Sequence, residues 1–179
     1  MSENKEQLTI HISHDLFKPS AIDSFDGLYN VDKLEGQFDT FVLQKPIKYQ
    51  ITITNTGDAF LITGTAEAEA VTSCSRCLED VDVKLTANID AYYLIEAPES
   101  SEENAINEFE ILPEDHEIPL GEIIKATMIV DAPPKPLCKE DCKGLCPKCG
   151  KNLNYETCSC SDEPDDSNPF SVLKDLKIN

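Results

Sequence analysis

The sequence of 179 residues contains no tryptophan, a single arginine at position 76, and only 15 Lys and Arg residues against 34 Asp and Glu. Its formal net charge at pH 7 is −19. This shortage of positive charge excludes nucleic-acid binding across the whole surface, because phosphate neutralisation requires clustered lysine and arginine. The same charge favours basic partners.

Long apolar runs are also missing. No segment approaches the roughly 18 apolar residues that a membrane-spanning helix needs. The first ten residues, MSENKEQLTI, contain neither the apolar core of a secretion signal nor an arginine-rich transit pattern. We therefore expect a cytoplasmic protein, and the length suits one domain of ordinary size with a small appendage.

Sequence motifs for catalysis are absent as well. We find no glycine-rich phosphate loop, no G-x-S-x-G elbow and no H-E-x-x-H pair. The three histidines, His11, His14 and His116, fall on or beside a predicted strand or in an acidic segment. We therefore expect that the protein is not an enzyme.

Cysteine is the abundant functional residue type, with eight copies. Their density is below that of a disulfide scaffold, and a reducing compartment favours metal thiolate sites over disulfides. One C-x-x-C pair lies at Cys74 and Cys77, and the other six cysteines fall within 23 positions: Cys138, Cys142, Cys146, Cys149, Cys158 and Cys160. This clustering predicts a metal-binding segment over residues 138–160.

The strongest local signal is Cys146-Pro147-Lys148-Cys149-Gly150. Zn²⁺ prefers a tetrahedron of thiolates, and two cysteines separated by two residues can form a tight turn around one edge of it. A glycine after the second cysteine permits the left-handed backbone that such turns often need. Cys158 and Cys160 can supply the other edge. We therefore predict Zn²⁺ as the cofactor.

The remaining cysteines leave several arrangements open. Cys138 and Cys142 can bind a second ion, replace a ligand of the first, or stay free. Cys74 and Cys77 lie at the tip of a predicted hairpin, where they can complete a second Cys₄ site with Cys138 and Cys142. A redox dithiol and a structural turn without metal are the alternatives for this pair.

The cysteine segment is also the only basic part of the chain. Residues 135–151 hold five lysines against two acidic residues, and the lysines are Lys135, Lys139, Lys143, Lys148 and Lys151. These charges either offset the negative charge of a zinc–thiolate centre or contact RNA phosphate locally. Candidate contacts to RNA or to a protein partner are Lys139, Lys143, Lys148, Lys151 and Arg76.

Alternating apolar and polar residues predict a β-rich fold. Strands are expected over residues 8–12, 47–54, from about 59 to 70, and 81–93, whereas residues 20–40 give only weak signals. The last three strands suggest an antiparallel meander with one solvated face. We predict an α+β fold, mainly an antiparallel meander or barrel-like sheet, with few short helices and a small C-terminal cysteine-rich zinc segment.

The second half of the chain breaks the strand pattern. Residues 96–117 read as a solvated acidic loop or as an acidic docking segment for a basic partner. Apolar residues at 120, 123, 124 and 128 have helical spacing, and a short C-terminal helix is expected over residues 168–176. These signals divide the chain into a β-rich domain, 1–134, and a cysteine-rich zinc segment with a helix, 135–179.

Four motifs stand out along the chain: Ser73–Leu78 (SCSRCL), Cys138–Asn154 (CKEDCKGLCPKCGKNLN), Cys158–Cys160 (CSC) and Asn168–Leu176 (NPFSVLKDL). Together they resemble the YceD family, the large ribosomal RNA subunit accumulation proteins. The motifs occur in the expected order and extend over most of the chain.

The resemblance implies a role in the accumulation of large-subunit ribosomal RNA, and therefore in ribosome assembly. A family gene often neighbours that of a small basic ribosomal protein, so a basic ribosomal protein or a large-subunit precursor is the partner implied. Two other functions remain open from the residues themselves: a zinc-dependent RNA-binding module that uses the lysines of the cysteine segment, and a thiol redox sensor.

Overall fold

The computed structural model of the chain describes residues 7–37, 39–96 and 110–160. Most of the acidic segment and the predicted C-terminal helix therefore lie outside the described residues. The strands in chain order are β1 (Ile10–His11), β2 (Ile22–Tyr29), β3 (Lys33–Glu35), β4 (Thr40–Leu43), β5 (Ile47–Asn55), β6 (Ala59–Ser73), β7 (Asp80–Leu94), β8 (Glu110–Ile111) and β9 (Glu117–Ile118). A 3₁₀ turn at His14–Phe17 and the helix α1 (Leu120–Asp131) complete the elements.

The central feature is a long antiparallel hairpin formed by β6 and β7. All 15 residues of β6 pair with β7, from Ala59 opposite Leu94 to Ser73 opposite Asp80. The other edge of β6 pairs first with β5 and then with β4, while β2 and β3 lie outside those strands. The prediction of a mainly antiparallel sheet containing the meander β5–β6–β7 is confirmed. Within the described residues, the strand pairing leaves the sheet open, so it is not a barrel.

One face of the sheet forms the hydrophobic core. Along β6 and β7 the buried residues alternate with exposed polar ones, as expected for a sheet with one solvated face. Helix α1 packs against β7 and buries Leu120, Ile124 and Met128 in the core. The buried side chains on β6 become smaller along the strand, from Phe60 and Ile62 to Ala66, Ala68 and Ala70.

Two parts of the chain differ from the sequence prediction. Residues 20–40, which gave weak signals, contain the edge strand β2, the strand β3 and the start of β4. β2 is an edge strand that pairs along its whole length with β5, and only its last residue, Tyr29, is buried. Because its side chains are mostly exposed, its sequence shows no clear alternation of apolar and polar residues. The predicted loop 96–117 is also too long, since its final part contains β8 and β9.

Two short strands, β8 and β9, connect the described C-terminal part of the acidic segment to the rest of the fold. β8 pairs with the end of β7 in parallel, and β9 pairs with β1 in a separate two-stranded sheet. Ile118 of β9 lies opposite Ile10, and both side chains are buried. Among the described residues, no helix has the length and apolar character needed to cross a membrane.

Candidate metal centre

The first C-x-x-C pair forms the turn between β6 and β7. Cys74 donates its N–H to the carbonyl of Glu79 at 2.7 Å, and its own carbonyl accepts a hydrogen bond from the N–H of Leu78 at 2.9 Å. Leu78 has a left-handed backbone, with φ of 61°. The long hairpin therefore fixes the two cysteines at its tip, with a closed hydrogen-bonded turn between them.

The second C-x-x-C pair repeats this turn in a different part of the chain. Cys146 donates its N–H to the carbonyl of Lys151 at 2.8 Å, and its carbonyl accepts from the N–H of Gly150 at 2.9 Å. Gly150 has φ of 73°. The spacing of donors and acceptors matches the first turn, so the two pairs present their thiols from the same backbone arrangement.

The structure gathers the eight cysteines into two groups of four. In the group that we name the inner cysteine group, all four Sγ atoms lie within 4.8 Å of one another; its members are Cys74, Cys77, Cys138 and Cys142. The Sγ–Sγ distance is 3.9 Å between Cys74 and Cys142 and 3.6 Å between Cys77 and Cys138. The hairpin tip therefore meets the segment that follows α1.

The remaining thiols form what we name the outer cysteine group: Cys146, Cys149, Cys158 and Cys160, whose Sγ atoms also lie within 4.8 Å of one another. The Sγ atoms of Cys146 and Cys158 are 3.5 Å apart. This group brings the second C-x-x-C turn together with the C-x-C pair. The sequence analysis expected the two pairs to form opposite edges of one metal site.

The sulfur separations match a metal–thiolate tetrahedron. Sulfurs at about 2.3 Å from a tetrahedral Zn²⁺ lie about 3.8 Å from one another. The three distances given above are 3.5–3.9 Å, and the other sulfur pairs of each group lie within 4.8 Å. A disulfide would instead bring two sulfurs to about 2.05 Å, and all eight cysteines are free thiols. Each group can therefore hold one metal ion.

Both groups contain thiols with a lowered pKa, which ionise more readily than a free cysteine. Burial raises the pKa of Cys74, but backbone N–H groups, led by that of Cys138, outweigh burial and lower the pKa to about 6. The N–H of Cys138 lies 3.4 Å from the Cys74 sulfur. Backbone N–H groups, led by that of Cys149, likewise lower the pKa of Cys146 to about 6.

The other thiols cannot all ionise alongside them. The N–H of Glu79 lowers the pKa of Cys77, but burial and the neighbouring thiols together raise it to about 12. In the outer cysteine group, the thiol of Cys149 is the main cause that raises the pKa of Cys160 to about 12. Four adjacent thiolates repel one another, and a divalent cation removes that penalty, since metal binding displaces the thiol protons.

Arg76, the one arginine of the chain, ties the hairpin tip to the segment after α1. Its guanidinium donates to the carbonyls of Cys142 at 2.8 Å and Glu140 at 3.2 Å. Its own carbonyl accepts a hydrogen bond from the N–H of Leu145 at 3.1 Å. A Cβ atom at Gly144, which has φ of 73°, would lie 3.0 Å from that carbonyl oxygen.

Comparison with known proteins agrees with these features. The family model described as "Large ribosomal RNA subunit accumulation protein YceD" matches residues 62–177, from within β6 across all eight cysteines. The chain belongs to the YceD family. The family's description names accumulation of the large ribosomal RNA subunit and no catalysed reaction.

Curated relatives of this YceD-family chain occur in mycobacteria. A Mycobacterium leprae (strain TN) protein, described as uncharacterized, is 32% identical over 114 residues, which cover 62% of this chain and 51% of the relative. A Mycobacterium tuberculosis (strain ATCC 25618 / H37Rv) protein with the same description is 31% identical over 107 residues, covering 59% and 51%. The chain thus spans about half the length of the curated relatives it matches. No solved structure matches it.

The lysines predicted as contacts lie on the surface around the two groups. Every lysine of residues 135–151 is exposed: Lys135, Lys139, Lys143, Lys148 and Lys151. The ammonium of Lys151 forms an ion pair with Glu156 at 3.1 Å. Their contact with RNA or a protein partner stays a prediction, as does that of Arg76.

Sequence reasoning missed three residues that support the inner cysteine group. The Asn154 amide donates to the Sγ of Cys142 at 3.3 Å and is the main cause that lowers the pKa of that thiol. The carboxylate of Glu79 accepts from the Tyr155 hydroxyl at 3.2 Å and lies 3.6 Å from the Cys77 sulfur. Their positions could have suggested this role. Glu79 lies two residues after Cys77, and Asn154 and Tyr155 lie between Cys149 and Cys158 in a segment with few apolar residues.

Proposed function

We propose that this YceD-family chain is a cytoplasmic, non-enzymatic factor that supports accumulation of large-subunit ribosomal RNA. It acts by binding a basic ribosomal protein or a large-subunit precursor particle. The observation that carries this proposal is the family match over residues 62–177, which includes the hairpin and both cysteine groups.

The charge of the chain supports a basic partner. The formal charge is −19, and acidic side chains are exposed along the solvated face of β7 at Asp80, Asp82 and Asp90. A field of one sign accelerates encounters with partners of the opposite sign and suppresses binding to polyanions. The acidic sheet is therefore suited to a basic protein, whereas bare RNA would be repelled from it.

The proposal includes one Zn²⁺ in each cysteine group, held by all four thiols. Zinc suits four thiolates in a tetrahedron, and sites without an open position are structural. Residues 138–160 contain few large apolar side chains, so zinc binding would supply folding energy that packing does not. Elemental analysis of the purified protein together with its native mass should give two zinc ions per chain. The absence of zinc would refute this part alone.

Depletion of the protein in its own organism tests the main proposal. Ribosomal particles separated on a sucrose gradient should show a lower ratio of large to small subunits, and the wild-type gene should restore it. A matched variant, Asp80→Lys, Asp82→Lys and Asp90→Lys, keeps the cysteine groups and reverses the exposed charge. It should fold, bind zinc and fail to restore the ratio. An unchanged ratio on depletion would refute the proposal.

A second candidate function follows from the exposed lysines of residues 135–151: a zinc-dependent RNA-binding module. It predicts binding that weakens with salt, with a slope of about −0.7 per phosphate contacted on single-stranded RNA. Changing Lys139, Lys143, Lys148 and Lys151 to Glu should abolish the binding. Changing four lysines in or beside the sheet to Glu is the matched control: Lys33, Lys45, Lys48 and Lys84. Equal loss in both variants would assign the effect to net charge alone.

A further inference from the structure

The two cysteine groups differ in how much of each is exposed to solvent. Three of the four inner residues are buried, with exposures of 0% for Cys74, 4% for Cys77 and 3% for Cys142. In the outer cysteine group only Cys146 is buried, at 5%. Solvent and small solutes therefore have much greater access to the outer thiols.

A surface cavity beside the outer cysteine group provides a route for that access. It has a volume of about 330 Å³ and is lined by Cys149, Cys158 and Cys160 together with Lys151, Thr157 and Ser159. Three of the four outer ligands thus border one opening. Its volume accommodates a small thiol.

The supports of the two groups differ as well. The inner cysteine group is fixed by the paired ends of β6 and β7, by the Arg76 guanidinium, and by the hydrogen bond from the Ser75 N–H to the Pro136 carbonyl at 2.8 Å. These contacts are formed by protein atoms of the hairpin and of the segment after α1. The outer thiols lie within 15 consecutive residues that form no long strand or helix.

Few backbone contacts hold the outer segment to the rest of the protein. Leu145 and Asn152 form an isolated antiparallel bridge, and Leu153 donates its N–H to the carbonyl of Gly144 at 2.9 Å. The segment between Cys149 and Cys158 also carries Asn154 and Tyr155, which contact the inner cysteine group and Glu79. A metal in the outer group would close this segment and hold those two side chains in place.

We propose that the outer cysteine group is an exchangeable zinc site, whereas the inner cysteine group retains its zinc permanently. The four outer thiols would hold the ion, and a small thiol entering through the cavity would replace the thiolate of Cys160 as a ligand, with the thiol proton passing to the released cysteine. No oxidation state changes. Loss of the outer zinc frees residues 150–157 and leaves the sheet intact. This inference rests on the zinc assignment in the proposed function.

Zinc release from the purified two-zinc protein tests the inference. With the chelator 4-(2-pyridylazo)resorcinol and glutathione as the competing thiol, release should occur in two phases, one zinc at least about tenfold faster than the other. Amide exchange measured after the fast phase should increase in residues 145–158 and stay unchanged in β6 and β7. Release of both zinc ions in one phase would overturn the inference.

Matched variants assign each phase to a group. Cys160→Ser should remove only the fast phase and leave one slowly released zinc, and Cys158→Ser should behave alike. Cys142→Ser should remove the slow phase and lower the melting temperature. A fast phase that survives Cys160→Ser, or one that disappears only with Cys142→Ser, would reverse the assignment. Protein isolated without any zinc would refute the zinc assignment itself, and the subunit ratio on depletion tests the ribosomal role independently.

Discussion

Leu78 and Gly150 occupy the same position in two equivalent turns. Each follows the second cysteine of a C-x-x-C pair, donates its N–H to the carbonyl of the first cysteine at 2.9 Å, and has a left-handed backbone, with φ of 61° and 73°. The left-handed region costs a non-glycine residue about 1–2 kcal/mol. The strained residue, Leu78, lies in the turn that the long hairpin β6–β7 holds in place. The turn outside the sheet has glycine at this position, which avoids the strain.

The Leu78 and Gly150 pair gives a reciprocal prediction. Gly150→Leu should weaken zinc binding by the outer cysteine group by about 1–2 kcal/mol, the cost of placing a leucine in the left-handed backbone. A Cβ atom at this position would meet no atom within 4 Å. Competition with a chelator measures the affinity.

Leu78→Gly is the matched control for Gly150→Leu. Because the Leu78 side chain is 66% exposed, its removal should leave stability within about 1 kcal/mol of the wild type, as relief of strain offsets the added chain entropy. A strongly destabilised Leu78→Gly protein would show that the leucine has a packing role.

Gly144→Ala should destabilise the inner cysteine group through a steric clash as well as through backbone strain. The new Cβ would lie 3.0 Å from the carbonyl oxygen of Arg76, which accepts the hydrogen bond from Leu145. Gly150→Ala is the matched control, since Gly150 has the same φ of 73° but has nothing within 4 Å of the position of a Cβ.

Urea unfolding with zinc present measures the difference between the two alanine variants. Gly144→Ala should lose about 1–2 kcal/mol more than Gly150→Ala, in line with the cost of overpacking. Equal losses would show that the Arg76 backbone moves away from the new Cβ without a measurable loss of stability.

The sheet could be predicted where alternation was strong. β5, β6 and β7 each have a buried face and a polar face, so period-two patterning located them, and helical spacing located α1. β2 was missed because seven of its eight residues are not fully buried and its stability comes from backbone pairing with β5. Side-chain pattern carries no signal for such an edge strand.

The division of the cysteines illustrates a different limit. Spacing alone identified the turn at Cys146 and Cys149, but left open whether Cys138 and Cys142 join it or meet the hairpin. Their position depends on contacts between distant parts of the chain, including the bonds from Arg76 to the carbonyls after α1. Such contacts follow from the fold and have no local sequence signature.

Arg76→Lys should loosen the inner cysteine group even though the positive charge is retained. Lysine cannot reproduce the planar guanidinium that donates to the carbonyls of Cys142 and Glu140. We expect a loss of about 1 kcal/mol in stability and faster release of the slowly released zinc, with the fast phase unchanged.

Lys139→Arg is the control for Arg76→Lys, because it also exchanges lysine and arginine with the charge retained, at an exposed residue of the same region. It should leave stability and zinc release as in the wild type. If Arg76→Lys matched that control in stability yet bound a partner more weakly, the arginine would act at the partner interface and not in the fold.

Asn154→Asp tests the hydrogen bond from the segment between Cys149 and Cys158 to the inner cysteine group. The asparagine amide donates to the Cys142 sulfur at 3.3 Å, and aspartate of nearly the same shape replaces that donor with a negative charge. Zinc affinity of the inner cysteine group should fall by about tenfold, as for other residues that hydrogen-bond to a metal ligand. Asn152→Asp is the matched control: the Asn152 oxygen accepts hydrogen bonds from Asn154, and an aspartate there keeps the acceptor while adding the same charge. Chelator competition should show a clear loss of zinc affinity in the inner cysteine group only for Asn154→Asp. Equal losses in both variants would mean that added negative charge, and not the lost N–H to sulfur bond, weakens the site.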